Sequence, residues 1–336
     1  MAGCIRPGKA VQQLFARHSG SNDLPEGPAR AEFRVRRLGA GGPGDYLFRI
    51  TPRNLPMTTR VSVLAAALSA FLVLPGQPAT AAGGDFAALE KALQLDEIFA
   101  VMREEGIAYG EEVAADLFPG PAGATWDREV SRIYDTGRVL PVFRDRFEAR
   151  LEDAGADVPA MIDFFSSDLG RKVTTLELSA RRALLDDAVE EASRLTYDKL
   201  RMESDPLLLR VDAFVEANDL VEANVTGAMN ANLAFYGGLG DAGVLGPEVS
   251  EAEILSRVWA QEPDIRNETE EWIYSYLVMA YAPLSQAELD AYTDFSRTEA
   301  GRALNTALFA GFDEVFVDVS RQLGRAAGTE LTGQDL

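Results

Sequence analysis

The sequence predicts an all-α protein, a helical-bundle-like fold built from two tandem, similar helical repeats. Three observations carry this. Apolar residues recur at helical spacing: Ile98, Met102, Tyr109, Val113 and Leu117 fall on one face, and Leu304, Leu308, Phe312, Val315 and Val319 on another. No stretch alternates apolar and polar residues with β-branched enrichment, so no sheet is expected. Segments of the first half also return in the same order in the second. DEIFAVM (96–102) is loosely mirrored by DLVEANV (219–225), VSRIY (130–134) by LSRVW (255–259), and DFFSSDLGR (163–171) by DFSRTEAGR (294–302), at offsets of 123, 125 and 131. A growing offset is what insertions in the second copy's loops produce. The repeat units are placed at about 85–203 and 204–330.

The chain ahead of those units reads as a leader. Arg60 supplies a positive n-region, Val61–Leu74 is an uncharged apolar run of 14 residues, and Ala79-Thr80-Ala81 is a small-x-small cleavage site. A permanent membrane helix needs about 20 apolar residues, so no stable span is expected once the signal is cleaved near Ala81. Residues 1–56 carry nine basic and four acidic side chains and no sustained apolar periodicity. They read as a disordered extension, or as a stretch upstream of a true start at Met57.

Helix starts in the remaining chain are written in capping residues. Asp205 before Pro206 is an N-cap followed by N1. Ser250 with Glu253, and Ser285 with Glu288, are capping boxes; Val249 with Ile254, and Leu284 with Leu289, are their expected hydrophobic staples. Trp272–Leu284 is apolar nearly all round, which at 13 residues predicts a buried core helix. Gly238, Gly240 and Gly243 match G-x-G-x-x-G. No strand precedes them, so a flexible interhelical loop is expected rather than a dinucleotide site.

The repeated aromatic–Ser/Thr–Gly–Arg step predicts a specific local geometry. Phe164 or Phe295 closes one helix, Ser167 or Thr298 caps the next, and Gly170 or Gly301 falls near N3, where a missing side chain permits close packing. Arg171 and Arg302 then project from a helix start, which the helix dipole disfavours, so an acidic neighbour is expected for each. The run PLSQAELDAYTDFSRTEAGRALNTALF (283–309) resembles the bacterial domain-of-unknown-function family 2059, and MIDFFSSDLGRKVTTLE (161–177) carries the same element. Both lack the Pro that commonly follows the capping Ser or Thr. The resemblance implies an exported helical protein and brings no catalytic residue with it.

Composition excludes more chemistry than it suggests. The chain has 32 Lys and Arg against 53 Asp and Glu, a formal net charge of −21. From Ala82 onward there are 22 basic and 49 acidic residues, which repel a phosphate backbone, so nucleic acid is not an expected partner. The single cysteine, Cys4, and the single histidine, His18, both lie in the leader. The exported part therefore has no imidazole or thiol for nucleophilic catalysis, zinc or haem ligation, and no disulfide. No cofactor and no metal site is expected.

The remaining candidates are weak. Asn224, Asn230 and Asn232, with Asn218 before them and Tyr236 after, crowd one segment. Asn is a mediocre helix former, so the crowding predicts either a satisfied polar face or a site for a small polar ligand. Arg132 and Arg257, in the repeated Ser-Arg-apolar-aromatic element, are expected to find intramolecular carboxylates. Trp126, Trp259 and Trp272 are expected in the core. The functional expectation is a non-catalytic periplasmic or secreted protein that binds an unidentified envelope partner or otherwise serves the cell envelope. The alternative is an Asp/Glu-based hydrolase of an envelope polymer, which would need two converging acids in a cleft.

Overall fold

The computed structural model describes residues 80–245 and 249–333, with side chains from Asp85 onward. The expected signal peptide and the 1–56 extension lie outside the described residues. Those residues are all helix and turn, without a strand. The helices are α1 (Thr80–Ala92), α2 (Leu95–Leu117), α3 (Ala124–Ile133), α4 (Thr136–Asp153), α5 (Val158–Phe165), α6 (Asp168–Ala183) and α7 (Asp187–Glu203) in the first half. The second half has α8 (Pro206–Ala217), α9 (Leu220–Asp241), α10 (Glu251–Trp259), α11 (Glu262–Tyr281), α12 (Gln286–Ser296) and α13 (Glu299–Gly333). No helix among the described residues is long and apolar enough to cross a membrane.

The local sequence explains most of these boundaries. Both capping boxes form, with Ser250 accepting from the Glu253 N–H and Ser285 from the Glu288 N–H. Asp205 caps α8 by accepting from the Leu207 N–H, with Pro206 in the first turn. A charge-assisted bond from Lys172 and the capping bonds at Ser285 hold the Glu288 carboxyl down at about 2. The Lys172–Glu288 bridge, 2.7 Å long, also ties α6 to α12. Both apolar stripes face the core, which includes Ile98, Tyr109, Leu304, Leu308, Phe312 and Val319. Tyr276, Leu277, Val278 and Tyr281 are likewise buried on α11.

The two halves run through their helices in the same order. Lengths are 13, 23, 10, 18 and 8 residues for α1–α5, and 12, 22, 9, 20 and 11 for α8–α12. Gln94 and Asp219, the residues before α2 and α9, both adopt left-handed backbone at φ 55° and 50°. The order diverges only at the end. The first half has α6 and α7 separated at Leu184–Asp186, whereas the second has one 35-residue helix, α13. Packing crosses between halves: α4 lies on α13, and α11 lies on α6 and α7.

The Gly-Arg hairpins are geometric twins. Ser167 Oγ accepts from Gly170 N at 3.0 Å, and Thr298 Oγ1 from Gly301 N at 3.0 Å, so each glycine is at N3 as expected. The close neighbour is the end of the preceding helix. A Cβ at Gly170 would fall on the Phe164 carbonyl, and one at Gly301 on the Phe295 carbonyl and 2.8 Å from the Ser296 Cα. Phe164 and Phe295 themselves stack at 3.9 Å with an interplanar angle of 10°, joining the hairpins face to face. Arg171 pairs with Asp168 at 2.6 Å and donates to the Ser166 carbonyl. Arg302 instead donates to the Arg297 carbonyl, so the expected acidic neighbour is replaced there by the free carbonyls at the preceding helix end.

Gly301→Leu should therefore destabilise by about 1–3 kcal/mol, the usual cost of overpacking. Gly240→Ala should be neutral or slightly stabilising, because a Cβ there meets only Leu245 at 3.7 Å. Thermal unfolding of both variants checks the contrast. The Gly240 comparison also marks a correction: the glycine-rich segment is not a loop at its start. Helix α9 continues to Asp241, and only Gly243, at φ 80°, turns the chain. The reason is that Gly238 is a contact point with α13, whose Arg321 carbonyl occupies the space a Cβ would take.

Candidate functional site

The most concentrated polar chemistry lies inside the fold, on α6. Its buried stripe runs Val173, Glu177, Ala180, Arg181 and Leu184, so two charged residues stand at core positions. Arg181 forks onto Glu105 of α2, with Nε to Oε1 at 3.0 Å and Nη2 to Oε2 at 2.7 Å. Both side chains are about 95 % enclosed, at 6 % and 5 % exposure. One turn earlier, Glu177 Oε1 accepts from Tyr281 OH at 2.7 Å and from Tyr292 OH at 3.1 Å. Tyr276 OH donates to the Glu177 carbonyl at 3.1 Å.

Electrostatics follow from this closure. Burial, then the neighbouring Glu177 charge, pushes the Tyr281 and Tyr292 hydroxyls well above the ordinary tyrosine range, so both stay donors. Burial and the Glu105 charge likewise raise Tyr134. A small cavity with room for about one water lies between Glu105, Tyr134 and the α13 residues Val315, Phe316 and Val319. Its one carboxylate, Glu105, is already engaged by Arg181. The geometry keeps α2, α6, α11 and α12 in one register; it does not present paired acids to a substrate.

At the 131-residue offset relating Gly170 to Gly301, Glu177 and Arg181 correspond to Leu308 and Phe312. Phe312 lies in an aromatic cluster with Phe99 and Phe143, at centroid distances of 5.7 and 4.7 Å. One half is thus polar where the other is apolar. Sequence reasoning missed Glu105, Glu177 and Arg181; the available signal was a charged i, i+4 pair on an otherwise apolar helix stripe.

The residues singled out from sequence do not converge. Asn224 is buried and donates to the Leu220 carbonyl of its own helix at 2.7 Å. Asn230 reaches across to Asp313 of α13 at 3.0 Å. Asn232 is buried, and its amide nitrogen has no hydrogen-bond partner among the described residues. Tyr236 is buried, and burial raises its hydroxyl against the opposing influence of Gln261 and Arg257. Arg132 pairs with Glu129 and also donates to Gln322 of α13 at 3.2 Å. Arg257 is exposed and has no carboxylate within ion-pair distance among the described residues, contrary to expectation, because the carboxylate one turn back, Glu253, is held in the capping box at Ser250.

The clearest asymmetry between the halves lies on the opposite side of α10, two residues either way from Arg257. Val130 and Tyr134 of α3 are 3 % and 6 % exposed; their sequence counterparts on α10, Leu255 and Trp259, are 45 % and 60 % exposed. On α3, Val130 and Tyr134 seat on Gly110 and Gly106 of α2, and α13 runs over Tyr134. On α10 the glycine seats are missing: at the 123-residue offset Gly106 and Gly110 correspond to Met229 and Leu233 of α9. Trp259 thus departs from the expected core position, whereas Trp126 is fully buried. Helix α7 also leaves Leu195 60 % and Met202 84 % exposed. Among the described residues no group of three or more His, Cys, Asp or Glu is placed to hold a metal ion. Comparison with protein-family models, curated proteins and solved structures finds no match.

Proposed function

We propose that the chain is an exported, non-catalytic helical protein of two tandem copies, 85–203 and 204–330, which acts in the periplasm or outside the cell by binding an envelope partner. The observation that carries this reading is the α10 face: Leu255 and Trp259 are exposed where their counterparts are covered. Large exposed apolar residues grouped on one helix face mark interaction surfaces. The acidic core supports it too, since Glu105 and Glu177 are enclosed and spent on internal partners. The shared helix order, the left-handed residues at Gln94 and Asp219, and the twin hairpins at Gly170 and Gly301 support the two copies. The resemblance of 283–309 to family 2059 is consistent with export.

Export rests on Arg60, the apolar Val61–Leu74 run and the Ala79–Ala81 site. Native protein purified from the envelope fraction should have a mass that begins at Ala82. A cytoplasmic species that retains residues 1–56 would overturn the localisation. Capture from envelope extract should retain a partner with the wild-type chain and lose it with Trp259→Glu; equal capture by both would remove the α10 face from the reading.

A further inference from the structure

We propose that the contact between α9 and the α10–α11 turn binds an acylated amino acid with a free carboxylate, through Asn232, Gln261, Tyr236 and Arg257. The site is separate from the Leu255 and Trp259 face, because Arg257 projects from the other side of α10. Its failure would leave that face untouched.

Three contacts fix how α9 meets α11. Glu222 accepts from Arg266 Nη2 at 2.9 Å, Val225 and Ala228 cluster with Ile265, and the Tyr236 hydroxyl faces the Gln261 amide. The two helices therefore run antiparallel. Val225, Ala228, Asn232 and Tyr236, spaced three and four apart, make one stripe on α9 that lies along α11. Asn232 falls between Ala228 and Tyr236 on that stripe, so its amide enters the contact between Ile265 and Gln261.

Two complementary groups are unsatisfied there. Asn232 is 2 % exposed, and its Nδ2 donor has no partner among the described residues. Gln261 Oε1 is an enclosed acceptor, likewise without one among the described residues. Buried amide groups left unbonded are costly, and folded proteins rarely keep two in one contact. A trans amide presents its N–H and C=O on opposite edges. Between these helices its C=O accepts from Asn232 and its N–H donates to Gln261.

The outer end of the site is cationic. Arg257 is exposed, and its charge partly offsets the rise that burial gives the Tyr236 hydroxyl, which places the guanidinium near that ring. The carboxylate one turn back, Glu253, is held at Ser250. A ligand carboxylate next to the bound amide meets Arg257 and the Tyr236 hydroxyl. Entry is past Gln261, a long side chain half-buried at the turn. From the surface inward, cation, acceptor and donor match the carboxylate, N–H and C=O of one acylated residue.

Calorimetric titration of the full chain with N-acetylalanine tests this, with thermal unfolding of each variant alongside. The wild type should bind it saturably, and acetate or N-acetylalanine amide at least about tenfold more weakly, since each lacks part of the recognised group. Arg257→Gln should weaken N-acetylalanine about tenfold and leave N-acetylalanine amide unchanged. Asn232→Leu should abolish binding yet raise the melting temperature of the free chain by about 2–4 °C, because it removes an unsatisfied donor. Acetyl-trialanine identifies the source, and the proposal stands on either result: equal affinity points to peptide ends, and loss to free acylated amino acids. No saturable binding of N-acetylalanine to the folded wild type, or binding indifferent to Arg257→Gln or Asn232→Leu, overturns the proposal. So does a lower melting temperature for Asn232→Leu, which would mean that the amide is bonded within the protein.

Discussion

Arg181→Met should lower unfolding stability by about 3–5 kcal/mol, the range seen when one member of a buried ion pair is removed. The guanidinium is 6 % exposed and makes two bonds to Glu105, whose carboxylate is 5 % exposed and cannot turn to water. The variant fills the space with an apolar chain of similar reach, so the loss reports the stranded charge more than a cavity. Total stability for a domain is roughly 5–15 kcal/mol, which makes this a large fraction of it. Glu105→Leu combined with Arg181→Met should be more stable than either single variant, because no uncompensated charge remains. Urea unfolding of the three variants measures the coupling. A loss within about 1 kcal/mol for Arg181→Met would mean the pair behaves like a surface bridge.

That cluster also shows where sequence reading stops. The caps at Ser250, Ser285 and Asp205 were legible because a cap is a short-range interaction between residues at most three apart. The Leu304–Val319 stripe was legible because periodicity reports a buried face without knowing its partner. Glu105 and Arg181 are 76 residues apart, and the one local hint, the charged Glu177 and Arg181 four apart on the α6 stripe, does not name the partner. Trp259 failed for a related reason. Its match to Tyr134 is visible in sequence, but Tyr134 is buried by seating on Gly106 of α2, and at the 123-residue offset α9 has Met229 in that place. The asparagines were ambiguous in sequence and stay dispersed in space, one bonded to its own helix and another across to α13.

Gly238 suggests a loop from sequence because glycine serves two opposite needs, freedom in a turn and absence of a side chain in a tight contact. Here the second governs, and reciprocally. A Cβ at Gly238 would fall on the Arg321 carbonyl of α13 and 2.7 Å from the Arg325 nitrogen. One at Gly324 would fall on the Phe235 carbonyl of α9 and 2.9 Å from its carbon. Both obstacles are backbone, which cannot rotate aside as a flexible side chain would. The two helices therefore touch main chain to main chain, and separating them would also disturb Arg321 and Arg325, which both bridge to Asp241. Gly324→Leu should cost about 3 kcal/mol or more, at or beyond the upper end for overpacking. Gly237 is the internal control: it sits one residue from Gly238 in the same helix, with nothing within 4 Å of an added Cβ. Gly237→Ala should raise stability by about 0.5–1 kcal/mol through helix propensity alone, while Gly238→Ala lowers it. Adjacent glycines with opposite signs in a denaturant series would establish that contact with α13, and not local flexibility, fixes glycine at position 238; equal and small effects would show that α9 and α13 can slide apart at little cost.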